Sequence, residues 1–340
     1  MSSPRDAPIS SLGHMWWAAN NPPADPKSSF AGKTILITGA NVGLGFEACL
    51  KFAALGASRL ILGARSLKRG EAAKVEVCKQ TGYRSQDIVI YALGMGTFSG
   101  VNAFVAEVDK HEPRIDIAIL HAGIAAHHFE LGPEGYESSV LVNGLSTALL
   151  AALLLPKLRS SSKLSGSPSR LQITGSCGHH LAPASKLDFP ASANILDEVS
   201  KPEYFNMMDQ YCLTKLLNMY TQDALVEAQA RHGGADEVII TVVCPGLCRT
   251  NLGRDFPYWQ RVCNGVFQKI FARSAEQGSR TMVSGVALGK DAHGEFWSHD
   301  VFYRKGELCK GQEGKRLQKR VWGEMLEVLQ RKAGFDPSQL

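Results

Sequence analysis

The chain has no long hydrophobic run. Its longest uninterrupted apolar stretch, Ala148 to Leu155, falls well short of the ~20 residues that a membrane-crossing helix needs. Residues 1–29, rich in Ser, Pro and Asn, lack the continuous apolar core of a secretory signal. An excess of one charge is also missing, since the formal net charge is only +5 over 340 residues. The basic residues between Arg304 and Lys332 are interleaved with glutamates, the pattern of a solvated helix face; a nucleic-acid surface needs a denser stripe with stacking aromatics. None of the eight cysteines forms a C-x-x-C pair, so no metal site is expected. Cys244 and Cys248 straddle Pro245 and Gly246 and read as small buried hydrophobes, their thiols free in a reducing compartment. These absences leave a soluble, cytoplasmic globular protein, enzyme or binder, with no nucleic-acid partner and no membrane span.

What is present is alternation. From Lys33 onward, β-branched runs alternate with segments of helical period, the mark of a parallel sheet covered by helices on both faces. Strands are expected at Thr34 to Thr38, Arg59 to Gly63, Asp87 to Leu93, Ile115 to Leu120, Arg170 to Thr174 and Val238 to Cys244, with a weaker one at Val301 to Tyr303. Several are almost wholly apolar, as strands buried on both faces must be. The fold class is therefore α/β, a Rossmann-type three-layer α/β/α arrangement on a central parallel sheet of about seven strands. Residues 30–340 form one catalytic domain behind an N-terminal extension, 1–29, whose Met15, Trp16 and Trp17 cover either the pocket or another exposed face. An amphipathic helix over about 314–333 closes the chain, and Ser274 with Gln277 forms a capping box. The Ser-rich piece Ser160 to Ser169 reads as a turn. Gly178 to Met208 and Cys248 to Arg273 have no place in the alternation and are long enough to suggest function.

The run Gly39, Ala40, Asn41, Val42, Gly43, Leu44, Gly45 follows the first strand and opens the first helix of the alternation, so backbone N–H groups and the helix dipole meet an incoming anion. Glycines suit it because a Cβ at the tight turn, or at the closest approach to a pyrophosphate, would clash. At the end of the second strand, where an NAD-binding chain would carry an acid for the adenine ribose, stands Arg65. Its forked cation matches a 2′-phosphate, which favours NADP(H).

Tyr211 and Lys215 are four apart on an expected helix, so phenol and ammonium share a face. A tyrosine titrating near 10 is too weak an acid for neutral pH, and a nearby ammonium lowers it. Ser176 follows the fifth strand and Asn143 lies in the helix before it, where a site at the strand ends draws its polar groups.

Together, Thr38 to Gly45, Ala122-Gly123, Asn143, Ser176, Tyr211 to Lys215 and Pro245-Gly246 resemble the ordered motifs of the short-chain dehydrogenase/reductase superfamily. Through Gly63-Ala64-Arg65, Val142-Asn143, Leu154 to Leu158 and Val321-Trp322, the chain is more narrowly similar to the retinol-dehydrogenase-like branch and its fungal relatives in secondary metabolism. The resemblance implies that Tyr211 exchanges the proton, Ser176 holds the substrate oxygen, Lys215 binds the nicotinamide ribose and tunes Tyr211, and Asn143 positions a water linked to Lys215. It also implies that Ala122 and Gly123 border the cofactor, that Pro245-Gly246 shapes the nicotinamide pocket with Thr250 beside it, and that a substrate lid spans about 248–273. Two departures stand out: His121 replaces the family's usual asparagine, as a backbone brace, and Gly94 stands where an acid commonly contacts adenine.

The aromatics Phe189, Tyr204 and Phe205 between Ser176 and Tyr211, and Phe256, Tyr258, Trp259, Phe267 and Phe271 in the lid, point to a lipophilic ketone or alcohol. The expected activity is an NADP(H)-dependent ketoreductase, monomer or homodimer. Its rivals are a non-redox isomerase, dehydratase or cyclase using Tyr211 as proton shuttle, and a cofactor-sensing binder, against which the intact four-residue set argues.

Overall fold

The structure, a computed structural model, describes residues 11–232, 234, 237–249, 265 and 267–340. Among the described residues eight strands are formed: β1 Thr34–Thr38, β2 Arg59–Ala64, β3 Ile88–Ala92, β4 Ile117–Leu120, β5 Ser169–Thr174, β6 Val238–Val243, β7 Phe296–Ser298 and β8 Val301–Tyr303. They make one sheet in the order β3-β2-β1-β4-β5-β6-β7-β8, parallel from β3 through β7, with β8 antiparallel on β7. Chain order reverses between β1 and β4, so the crossovers leave on opposite faces, and the carboxyl ends of those two strands are where a sheet of this topology places a ligand. The sequence expectation of seven strands lacked β7, whose three residues Phe-Trp-Ser are too few for a period to register.

Among the helices whose full span is described are α1 Leu12–Asn20, α2 Gly43–Ala54, α3 Leu67–Thr81, α4 Phe98–His111, α5 Thr147–Ser165, α6 Ile195–Val199, α7 Met207–Arg231, α8 Ala275–Gly285 and α9 Gly311–Ala333. Side chains alternate across β1, and two cores follow from that period. Ile35 and Ile37 pack with Phe52, Val77 and Met282 beneath α2, α3 and α8. Leu36 packs with Phe104, Leu149, Leu216 and Tyr220 beneath α4, α5 and α7, where α9 adds Val321, Met325 and Leu329.

The Ser-rich turn expected at Ser160 to Ser169 begins later. Helix α5 continues to Ser165 because Ser161 is buried and satisfied, its Oγ donating to Lys157 O at 2.7 Å and accepting Ile115 N–H at 2.9 Å. Val140–Ser165 is long and apolar enough to cross a membrane by length and composition, yet 78% of its most apolar window is buried inside the protein. Before α5, Val140–Ser146 winds as one wider π turn that carries Asn143.

The N-terminal extension is docked. Ala24 N–H donates to Asp300 Oδ2 at 2.7 Å, Arg280 donates to Pro23 O at 3.1 Å, and Lys51 pairs with Asp25 at 2.6 Å. Most of the lid expected at 248–273, including Thr250, Leu252, Phe256, Tyr258, Trp259 and Val262, lies outside the described residues. The described cysteines are free thiols, with Cys244 and Cys248 buried as expected.

Candidate active site

The turn after β1 closes tightly on one side and stays open on the other. A Cβ on Gly39 would meet Ala122 Cα at 3.0 Å, and one on Gly45 would meet Gly39 O at 2.4 Å, so both glycines allow direct packing. Gly43 differs: its φ of +58° requires glycine, yet nothing lies within 4 Å of where its Cβ would stand. Helix α2 starts there with Val42 as N-cap and no side-chain acceptor, whereas Ser66, Thr97 and Asn206 cap α3, α4 and α7. The first N–H groups of α2, at the positive end of its dipole, therefore have no side-chain partner among the described residues, and their chemistry fits a phosphate. Val42 is exposed beside them, while Leu44 turns into the core. Arg65 follows β2 directly, exposed, and holds no hydrogen bond or ion pair among the described residues.

One strand over, Thr38 Oγ1 accepts the N–H of His121 at 2.9 Å and of Ala122 at 3.0 Å, tying the exit of β4 to the end of β1. His121 Nδ1 lies 3.3 Å from Thr174 Oγ1, which extends the tie to β5. Burial, reinforced by the Lys215 charge, holds the His121 imidazole at about 4, so it is neutral at neutral pH. Gly123 leads into Ile124, which Asn143 grips at both ends: Asn143 Oδ1 accepts Ile124 N–H and Nδ2 donates to Ile124 O, each at 2.8 Å. Nδ2 also donates to Thr214 Oγ1 at 3.3 Å, which links the π turn to α7.

Ser176, just past β5, meets Tyr211 from the second turn of α7. A methyl built on Gly178 would stand 3.3 Å from Ser176 Oγ and 3.6 Å from Tyr211 Cε1, so hydroxyl and phenol ring border one small volume that a side chain there would fill. Lys215, one turn further, donates from Nζ to Thr174 O at 2.9 Å and lies 5.6 Å from the Tyr211 ring centre. Burial draws the Lys215 ammonium down to about 8. Burial also pushes the Tyr211 phenol above its ordinary range, outweighing the hydrogen bond with Ser176 that lowers it. The lowering argued from Tyr211 and Lys215 spacing alone is thus reversed in the bare protein, because a periodicity says nothing about how dry the shared face is.

Pro245 and Gly246 leave β6 beside this group, with Cys177 N–H and Gly246 N–H both donating to Cys244 Sγ, at 3.2 and 3.4 Å. Residue spacing placed Thr38 and Thr214 inside motifs without a role for their hydroxyls, and gave no notice of Thr174 or Gly178. Each is a common residue whose role appears only when separate strand ends are brought together.

The family profile "short chain dehydrogenase" matches residues 33–167. The short-chain dehydrogenase/reductase ffsI of Aspergillus flavipes is 45% identical over 321 residues, covering 94% of this chain and 92% of that protein. The chain belongs to the short-chain dehydrogenase/reductase family. A second relative, phmF of Phaeosphaeria nodorum, is 45% identical over 92% of this chain and 90% of its own length. Among solved structures, L-sorbose reductase of Gluconobacter frateurii, complexed with NADPH and L-sorbose, has a TM-score of 0.59 at 19% identity, covering 84% of this chain and 100% of that one. An NADH-dependent reductase of alginate metabolism has a TM-score of 0.59 at 18% identity, covering 79% and 96%. These two show the shared fold. As a short-chain dehydrogenase/reductase the chain is an oxidoreductase of a family that binds nicotinamide cofactors.

Proposed function

We propose that the chain is an NADP(H)-dependent reductase that transfers hydride to a lipophilic ketone, a ketoreductase of secondary metabolism. The observation that carries this reading is the meeting of Ser176, Tyr211 and Lys215 at the strand ends beside the uncapped glycine turn. Burial keeps the proton on the Tyr211 phenol at neutral pH, so the residue is in the donor form, and the Lys215 ammonium 5.6 Å from its ring is the charge that would offset the burial as that proton leaves. Ser176 Oγ is the hydrogen-bond partner for the substrate oxygen, which becomes alkoxide-like as hydride arrives. Tyr211 then delivers its proton to that oxygen, and the ammonium of Lys215 stabilises the phenolate left behind. Asn143 keeps Lys215 and Tyr211 in register by fixing Thr214, which lies between them on α7.

When bound, the cofactor supplies the hydride. The N–H groups of residues 42–45, together with Gly39 and Asn41, are its phosphate cradle, and Ala122, Gly123, Asn143, Tyr211, Lys215, Pro245, Gly246 and Thr250 are the candidates for its nicotinamide half. Exposed, unpartnered Arg65 is suited to a 2′-phosphate, which supports NADP(H) over NAD(H). Support for an apolar substrate comes from the approach to Tyr211: Met208, three residues earlier on α7, is 57% exposed, and Phe205 stacks edge-on with Phe129 at 6.0 Å.

The test is a screen of lipophilic ketones followed by NADPH absorbance. Tyr211→Phe should lose roughly 10²–10⁴-fold in kcat, and Arg65→Ala should raise KM for NADPH while leaving KM for NADH unchanged. Full turnover by Tyr211→Phe would refute the mechanism. Product formed without loss of nicotinamide absorbance would instead establish an isomerase, dehydratase or cyclase.

A further inference from the structure

Arg273 is the largest side chain among those fully buried in the described residues, at 1% exposure. Among those residues no carboxylate lies within ion-pairing distance, so its charge is met by carbonyl oxygens. Nη2 donates to Ala18 O at 2.7 Å and Nη1 to Pro245 O at 3.5 Å. Ala18 belongs to the last turn of α1, where the helix dipole is negative, so α1 supplies the counter-polarity that lets this cation be buried. The guanidinium also covers Gly246, since a Cβ there would come within 3.3 Å of Cζ and 3.5 Å of Nε and Nη1. The Arg273 backbone holds the same loop from the other side, its N–H donating to Leu247 O at 3.0 Å and its C=O accepting Arg249 N–H at 2.9 Å.

A second connection runs from α1 to the residue before Pro245. His299 and Asp300 are the non-glycine residues at positive φ among those described, 52° and 58°, in the two-residue turn joining β7 to β8. Such turns ordinarily take Asn-Gly. Here each side chain is held in place by the N-terminal segment. Asp300 accepts Ala24 N–H at 2.7 Å, and the His299 ring lies 5.3 Å from that of His14 and 5.8 Å from that of Trp17. His299 Nδ1 is 2.7 Å from Ser298 Oγ, which donates to Cys244 O at 2.9 Å.

We infer that α1, Arg273 and the His299-Asp300 turn form a brace that sets the Pro245-Gly246 loop, so that the N-terminal segment governs binding of the nicotinamide half of the cofactor and leaves the adenine half unaffected. The separation follows from the sheet order, in which β6, carrying this loop, lies four strands from β2, carrying Arg65. Arg273 is a positioning residue, buried too deeply to meet a substrate. The inference rests on the cofactor reading above only for which half is affected; the brace itself is visible without any cofactor.

Three variants test it: Arg273→Met, Arg273→Lys, and His14→Ala with Trp17→Ala, which loosens α1 and leaves the sheet intact. Two readouts are needed, amide hydrogen exchange of residues 246–249 in the cofactor-free protein, and affinity for NADPH against affinity for its adenine half, 2′-phospho-ADP-ribose. Arg273→Met and the double variant should speed exchange in the loop and weaken NADPH by about tenfold, as expected for a lost charge-assisted hydrogen bond. Affinity for 2′-phospho-ADP-ribose should stay unchanged, and Arg273→Lys should recover part of the loss. Unchanged exchange in the double variant would overturn the brace. So would an equal weakening of NADPH and the fragment, which marks general loss of structure. A parent protein that binds neither molecule, with loop exchange still faster in the variants, would refute the cofactor reading and leave the brace standing.

Discussion

Gly43 offers a perturbation in which folding and binding separate. An alanine methyl there meets no described atom within 4 Å beyond its chain neighbours and its own helix backbone, and its backbone stays at φ +58°. Its cost to folding is that of a non-glycine residue in the left-handed region, about 1–2 kcal/mol, which lowers the thermal midpoint of a domain this large by roughly 1–3 °C. On the cofactor reading its cost to binding is larger, because the methyl would take up open space at the uncapped start of α2, where the phosphate is proposed to sit. Loss of one or two hydrogen bonds to a charged phosphate amounts to about 3 kcal/mol, or a factor of ~100 in Kd. Gly45→Ala provides the contrast. Its methyl would lie 2.4 Å from Gly39 O, a backbone atom that can yield only by moving α2 away from β1. Overpacking of this kind costs about 1–3 kcal/mol, so Gly45→Ala should lose stability at least as much as Gly43→Ala even without cofactor. Thermal melting of the bare proteins with NADPH fluorescence titration measures both quantities. If Gly43→Ala bound NADPH as tightly as the parent, the phosphate would not lie at this turn and the cofactor reading would have to be abandoned.

Acid should weaken the fold in a defined window. His121 and His179 are both held at about 4 by burial, against an ordinary 6.5, so the unfolded chain binds more protons and stability falls as pH drops from about 6.5 to 4, by roughly 3 kcal/mol for each. Urea unfolding across that range should show the decline, and its absence would mean that the two rings are hydrated in the fold. Lys215, drawn down to about 8 from 10.5, makes stability rise between those values as the folded protein sheds its proton first; Lys215→Met should remove the rise. Glu112, 1% exposed, is held by Arg59 at 2.6 and 2.8 Å and by Tyr91 OH at 2.7 Å. Arg59→Met should therefore cost about 3–5 kcal/mol in urea unfolding by stranding a buried charge, and a second change, Glu112→Gln, should recover much of it.

Much of the candidate site could be proposed in advance because its motifs sit at joints of the alternation. A glycine run between a strand and a helix, an arginine after β2, and a phenol and ammonium four apart carry their meaning in local spacing, and local spacing is what a sequence records. The reading weakened wherever meaning depends on partners distant in the chain. The three residues of β7 have no period, and α1 was an extension until Arg273 and the His299-Asp300 turn appeared against it. The serines after Ser160 suggested a turn because their burial against Ile115 was invisible.

The sequence by itself determined the α/β class, the strand end at which Ser176 stands, the helix that carries Tyr211 and Lys215, and the glycine turn, since hydrophobic period and glycine placement are properties of neighbouring residues. Tertiary structure decided the direction in which Tyr211 and Lys215 are shifted, the ties made by Thr38, Thr174 and Thr214, and the burial of Arg273 under α1. Those depend on how much water is excluded and on which distant carbonyls converge, and only the packed chain sets either.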